Sequence, residues 1–145
     1  MSIIHRHVEV MYCDDVRQEI GHKISLMGIY GSDLVVNSVP TVIEKLCLSV
    51  RVLTPINEPF KKIEIFVSQG EEDKQKDLVA TGPLDLPPSD QFLIDGSKMF
   101  VVQTFCVLSP FNVEEETVLK VRVKTEREEL RGVGLRIRSL EQTRT

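Results

Sequence analysis

Apolar and polar side chains alternate with a period of two along several stretches of this chain. The pattern is cleanest in Leu46-Cys47-Leu48-Ser49-Val50-Arg51-Val52 and in Leu119-Lys120-Val121-Arg122-Val123-Lys124. Alternation of this kind puts one row of side chains on each face of an extended strand and predicts sheets with a buried side and a wet side.

Further strands are predicted on the same grounds. Residues 7–12 form a first strand, followed by a polar stretch, 13–22, that reads as a loop or frayed extension. Residues 23–30 form a second strand, ended by Gly31-Ser32-Asp33, and 34–36 a short third. The strongest alternation runs over 42–54 and stops at Pro55; in the strand over 62–68, Ile63, Ile65 and Val67 share one face and Lys62, Glu64 and Phe66 the other. Residues 70–77 read as a charged hairpin tip and 78–81 as a short return strand. Four breakers, Pro83, Pro87, Pro88 and Gly96, leave room for one turn of helix near 90–93. Residues 99–108 are apolar enough for a strand buried on both faces or lying centrally. Residues 118–125 and 133–138 form a terminal hairpin, and the tail over 139–145 frays.

About seven to nine short strands spaced by turn signals, with no long helical run, predict an all-β fold. The expected form is an immunoglobulin-like antiparallel β-sandwich spanning 1–145 as one domain, with a small β-barrel as the alternative. Composition agrees: of 145 residues 41% are hydrophobic and 28% charged, enough apolar content for a core and against wholesale disorder. The formal charge of −4 argues against a chain whose main work is gripping a nucleic-acid backbone. His5, Arg6 and His7 stand where a secretory signal needs an apolar core, and no run suits a spanning helix. A cytoplasmic protein is expected. Cys47 and Cys106 are spaced like the bridging cysteines of an antibody domain, but the chain has no Trp to pack on such a bridge, and three reduced thiols are the simpler expectation.

The segment Cys13-Asp14-Asp15-Val16-Arg17-Gln18-Glu19-Ile20-Gly21-His22-Lys23-Ile24-Ser25-Leu26-Met27-Gly28-Ile29-Tyr30 resembles the N-terminal part of a family of small, uncharacterised bacterial and mobile-element proteins of unknown function. In that family a Cys-Asp pair precedes a polar turn and a Gly-Lys-x-Ser-Leu-x-Gly strand. Here His22 interrupts the Gly-Lys step. The resemblance implies a β-sandwich and no activity or functional residue.

Candidate chemistry is sparse. His5 and His7 have the spacing to face one side of a strand, and with Cys13 they form a possible metal set, although a His-x-His pair near a terminus also suits plain exposure. Asp14, Asp15, Asp33, Asp90 and Asp95 would hold calcium, as C2 domains do, if they gathered at one end of the sandwich; turn formation explains them equally. Lys120, Arg122 and Lys124 share one strand face, and Arg136 and Arg138 share a face of the strand expected beside it. Like charges across a ladder cost stability unless answered, so this basic stripe is the best candidate binding surface. The opposing reading is that Glu64, Glu126, Glu128 or Glu129 neutralises it. Phe66, if it faces outward with Leu53, would mark an assembly surface.

No nucleophile elbow, zinc-protease helix, phosphate loop or dinucleotide fingerprint occurs, and Cys13 with His22 has no orienting third group. No cofactor is expected. The sequence therefore favours a non-enzymatic module that binds another protein, with a homo-oligomer possible. A C2-like or anionic-ligand-binding module is the first alternative and a metal-dependent hydrolase built on His5 and His7 the second.

Overall fold

The computed structural model describes residues 5–86 and 98–141. The helical turn expected near 90–93, Asp90, Asp95 and the end of the tail lie outside the described residues. In chain order the strands are β1 (His7–Glu19), β2 (Lys23–Ile29), β3 (Asp33–Val36), β4 (Thr41–Ile43), β5 (Leu46–Pro55), β6 (Ile63–Gln69), β7 (Lys76–Ala80), β8 (Met99–Leu108), β9 (Phe111–Val113), β10 (Thr117–Thr125), β11 (Glu129–Arg131) and β12 (Leu135–Ser139). A short 3-10 turn, Glu72–Lys74, precedes β7.

The fold is a β-sandwich. One sheet has the order β2-β1-β5-β8, antiparallel throughout; the other runs β3-β12-β10-β6-β7, with β11 also on β10 and a parallel step between β12 and β3. A small ladder of β4 and β9 stands apart, and among the described residues no sheet closes into a barrel. The alternation seen in the sequence explains the core directly. Leu46, Leu48, Val50 and Val52 of β5 meet Ile63, Ile65 and Val67 of β6 and Leu119, Val121 and Val123 of β10 in one buried cluster. Each such side chain contributes about 1.5–3 kcal/mol when fully buried, which makes this register costly to slip.

Three contacts pin the layers together. The Tyr12 hydroxyl donates to the Val133 carbonyl at 2.7 Å, joining the inner face of one sheet to the other. Gly132 runs so close to β1 that a Cβ there would sit 2.5 Å from Val10 Cγ2. The third is Arg6, buried just before β1. Its Nε donates to Thr54 Oγ1 at 3.0 Å, its Nη2 to the Glu58 carbonyl at 3.0 Å, and its Nη1 lies 2.6 Å from Glu126 and 3.1 Å from Glu128. The guanidinium also stacks 4.5 Å from the Phe60 ring centroid.

Four expectations need correction. Twelve strands stand among the described residues rather than seven to nine, because β4, β9 and β11 have three residues each, too few to show a period. The polar stretch after Tyr12 is no loop: β1 continues to Glu19, paired with β2, and its charges are wet because the first partner of β5's ladder, Cys13 with Cys47, leaves residues 14–19 without a strand on that side. Among the described residues β8 lies at a sheet edge, not centrally. The terminal hairpin is really two strands, β11 beside residues 122–124 and β12 beside 117–119, on the same edge of β10.

Candidate functional site

The outer face of the β2-β1-β5-β8 sheet carries the odd-numbered residues of β1, β5 and β8. Register places Ile29, Cys13, Cys47 and Val107 in one row and Met11, Ser49 and Phe105 in the next. Ile29, Met11, Val107 and Phe105 are substantially exposed, while Cys13, Cys47 and Ser49 are buried between them. The third row is polar: Arg51 pairs with Glu9 at 3.3 Å beside Gln103. An apolar sheet face left open to water is the sort of patch that marks an interaction surface. β8 borders it, and its sequence, Met99-Phe100-Val101-Val102-Gln103-Thr104-Phe105-Cys106-Val107-Leu108, holds no Asp, Glu, Lys, Arg or His.

From one side of this face the β1–β2 hairpin projects as a two-stranded arm. Its tip turns through Gly21 and His22, both at positive φ (92° and 59°), with Ile20 95% exposed. His22, which interrupts the resembled motif, thus supplies the second left-handed position of the turn. At the root of the arm the two halves of that motif meet. Gly28 has positive φ and lies under Asp14, whose carboxylate accepts a hydrogen bond from the Tyr30 hydroxyl; a Cβ on Gly28 would collide with that carboxylate. Burial, then Asp14, pushes the Tyr30 hydroxyl up to about 12. Asp15 turns the other way, to Lys45 Nζ at 2.6 Å, and that bond holds its carboxyl below the usual range. Cys13 and Cys47 face one another across β1 and β5 and bond the Asp15 and Asp14 carbonyls at 3.4 and 3.7 Å. Burial pushes both thiols up, which keeps them protonated and weakly nucleophilic. Cys47 therefore neighbours Cys13, and the two are not bridged.

His5, His7 and Cys13 are not brought together. His7 Nδ1 lies 3.0 Å from the His5 carbonyl and its Nε2 3.5 Å from Glu9, whereas Cys13 is six residues, about 20 Å, further along β1. Of the calcium candidates, Asp14, Asp15 and Asp33 are engaged separately, by Tyr30, Lys45 and Arg138. Among the described residues no three His, Cys, Asp or Glu side chains are gathered to hold a metal ion.

The basic residues do share the outer face of the second sheet, and acids answer most of them. Arg122 pairs with Asp77 at 3.0 Å and Glu129 at 3.2 Å, Lys120 with Glu71 at 3.4 Å, and Arg138 with Asp33 at 2.9 Å. Lys124 and Arg122 lie over the Phe66 ring, 5.1 and 5.2 Å from its centroid, so Phe66 is capped by cations and lies on the opposite sheet from Leu53. Arg136 is exposed, opposite Val118. Glu126 and Glu128 serve Arg6 and Glu64 serves Lys62; of the four acids expected, Glu129 alone reaches the stripe. The sequence reading missed Arg131, which stands directly opposite Arg122. Its signal, the alternation of Glu129-Leu130-Arg131, is one period long.

Residues 10–138 match a family of unknown function, DUF6941, and the chain belongs to that family. No curated protein matches the chain. Among the described residues no helix is long and apolar enough to cross a membrane.

Proposed function

We propose that this member of DUF6941 is a non-enzymatic, protein-binding β-sandwich that takes up an extended, uncharged strand of a partner protein along β8. The observation that carries the reading is the conflict between the chemistry of β8 and its position. Edge strands are ordinarily blunted by charge, proline or a bulge, because their unpaired N–H and C=O groups template further pairing. β8 has ten residues without a charge or a proline, pairs with β5 in unbroken register, and turns Val101, Phe105 and Val107 to solvent. Its composition suits the interior of a sheet, and a strand added on its open side would place it there. Ile29 and Met11 extend the same apolar surface toward the arm. An immunoglobulin-like arrangement and a cytoplasmic setting go with this reading, the latter supported by three buried, unbridged thiols.

The test is site-specific photocrosslinking in cells that carry the gene, with benzoylphenylalanine at Phe105 or Val107 and, as a control, at Arg136. Adducts at 105 and 107 whose crosslinked peptide maps to one extended segment of another protein support the reading, and Val101→Lys should remove them. Crosslinks to β8 of a second copy would make this edge a homo-oligomer seam and overturn it. So would adducts of equal yield at 136.

A further inference from the structure

Cys13 and Cys47 are buried, yet they stand outside the core. The buried apolar cluster between the sheets includes Cys106 of β8 and neither of the other two cysteines. Register explains the difference. Cys13 and Cys47 are Cα partners on the outer face of the first sheet, whereas Cys106, opposite Leu48, points inward.

The spacing of the pair follows from the ladder. The Tyr30 amide donates to the Tyr12 carbonyl at 2.8 Å, so Tyr12 directs its backbone polar groups at β2, and Cys13, one residue on, directs its own at β5. Cys13 and Cys47 are therefore a hydrogen-bonded antiparallel pair. In such a pair the Cα atoms stand about 5.5 Å apart, inside the span of about 4.4–6.8 Å that a disulfide bridges. Their sulfurs also lean the same way, toward the Asp15 and Asp14 carbonyls at the root of the arm.

The cover over this pair is thin. Its neighbours on the same face are Met11, Asp15, Ile29, Lys45, Ser49 and Val107, and all but Ser49 are close to half exposed. Among the described residues no sheet lies over this face. One layer of wet side chains separates the two sulfurs from solvent.

We infer that Cys13 and Cys47 form a modification site, a reversible cross-strand disulfide whose oxidant is hydrogen peroxide. The Cys47 thiolate attacks one peroxide oxygen, the O–O bond breaks, and the hydroxide released takes up the Cys47 proton as water. Cys47 is left as a sulfenic acid. Cys13 then attacks that sulfur; the S–S bond forms, the S–O bond breaks, and the second hydroxide leaves as water with the Cys13 proton. Two thiols have lost two electrons and two protons, and one peroxide has become two waters. Burial pushes both thiols up, and the Lys45 ammonium opposes it at Cys47, which makes Cys47 the attacking sulfur. The reaction is slow for the same reason, and it records sustained exposure rather than a brief pulse. Bridging turns both sulfurs away from the carbonyls of Asp14 and Asp15, whose carboxylates hold Tyr30 and Lys45, so oxidation is felt where the arm leaves the sheet. The inference does not rest on the protein-binding proposal.

The test treats the reduced full chain with hydrogen peroxide in native buffer, alkylates the remaining thiols after unfolding, and maps the peptides by mass spectrometry. Two of the three thiols should be lost to alkylation, the intact mass should fall by two hydrogens, and one linked peptide pair should join Cys13 to Cys47. Dithiothreitol should restore both thiols, and Cys106 should stay alkylatable throughout. Cys13→Ser should strand Cys47 as a sulfenic acid that dimedone traps, while Cys47→Ser should give several-fold less adduct at Cys13. The inference is overturned if Cys13 and Cys47 survive as thiols under peroxide that oxidises the urea-unfolded chain. A bridge that includes Cys106 or joins two chains overturns it too, as does oxidation to sulfinic acid with no linked pair. Equal dimedone adducts in the two variants would refute Cys47 as the attacking sulfur.

Discussion

Replacing Glu126 with Gln tests how the buried Arg6 is held. The Arg6 side chain is 4% exposed and Glu126 19%, so their 2.6 Å contact is largely out of water. Burial alone would raise the Glu126 carboxyl, but the Lys61 amide, 2.7 Å away, and the Arg6 guanidinium outweigh it and hold the group at about 2 against an ordinary 4.5. At about 1.4 kcal/mol per pH unit, that gap corresponds to about 3 kcal/mol. Because the folded-state value is depressed, this stability is fully present above about pH 4.5 and is lost as pH falls toward 2. Glu126→Gln keeps an acceptor for Lys61 but removes the charge beside Arg6, and Glu128 at 3.1 Å compensates in part. The expected loss at pH 7 is therefore about 2–3 kcal/mol. Urea unfolding followed by circular dichroism at pH 7, 5, 4 and 3 measures it. The other carboxylates titrate in both proteins, so the difference between the two isolates Glu126. The stability gap should narrow steadily below pH 4.5; a gap that is constant with pH, or absent at pH 7, would refute the reasoning.

Other substitutions probe the remaining contacts. Gly132→Ala places a methyl group 2.5 Å from Val10 Cγ2 and should destabilise the fold by about 1–3 kcal/mol, with Val10→Ala restoring part of the loss in a double-mutant cycle. Tyr12→Phe leaves the Val133 carbonyl without its donor and should cost about 1 kcal/mol in urea unfolding; no change would mean that water replaces the hydroxyl fully. Asp14→Asn should lower the Tyr30 titration below about 12, read by absorbance at high pH, but not to the ordinary 10, because burial is the larger cause. If Tyr30 titrates unchanged, the Asp14 contact does not exist in solution.

Sequence pattern revealed those strands whose two faces differ. β6 and β10 each bury one row and leave most of the other half-wet, whereas β5 also buries Cys47, Ser49 and Leu53 and wets Arg51; the inward residues of all three were legible. β8 is apolar on both faces, which signals burial without saying which chain supplies the cover, so its place at the edge was hidden. The far half of β1 was hidden for the opposite reason: both faces of the arm are wet, and alternation fades. Among the candidate sites, the cations of the stripe were correctly put on one face, but their counter-ions Glu71, Asp77 and Asp33 come from distant elements that no local spacing announces. Arg6 carried no pattern signal either, since its role depends on two loops and the ends of β5 and β10 converging around a single side chain.

The parallel ladder between β3 and β12 has a consequence for synthesis. Leu34 is made before β4 to β11, yet the strand that seats it beside Ile137 is the last described strand to be made. Until the ribosome has released residues 135–139, β3 has no lateral partner and the 117–119 part of one flank of β10 is bare. The nascent chain must therefore carry an apolar segment through the synthesis of all the intervening strands before it can be sheltered, and loop closure over that span makes folding slow. Chaperone engagement should accordingly be strongest on chains truncated just before Leu135.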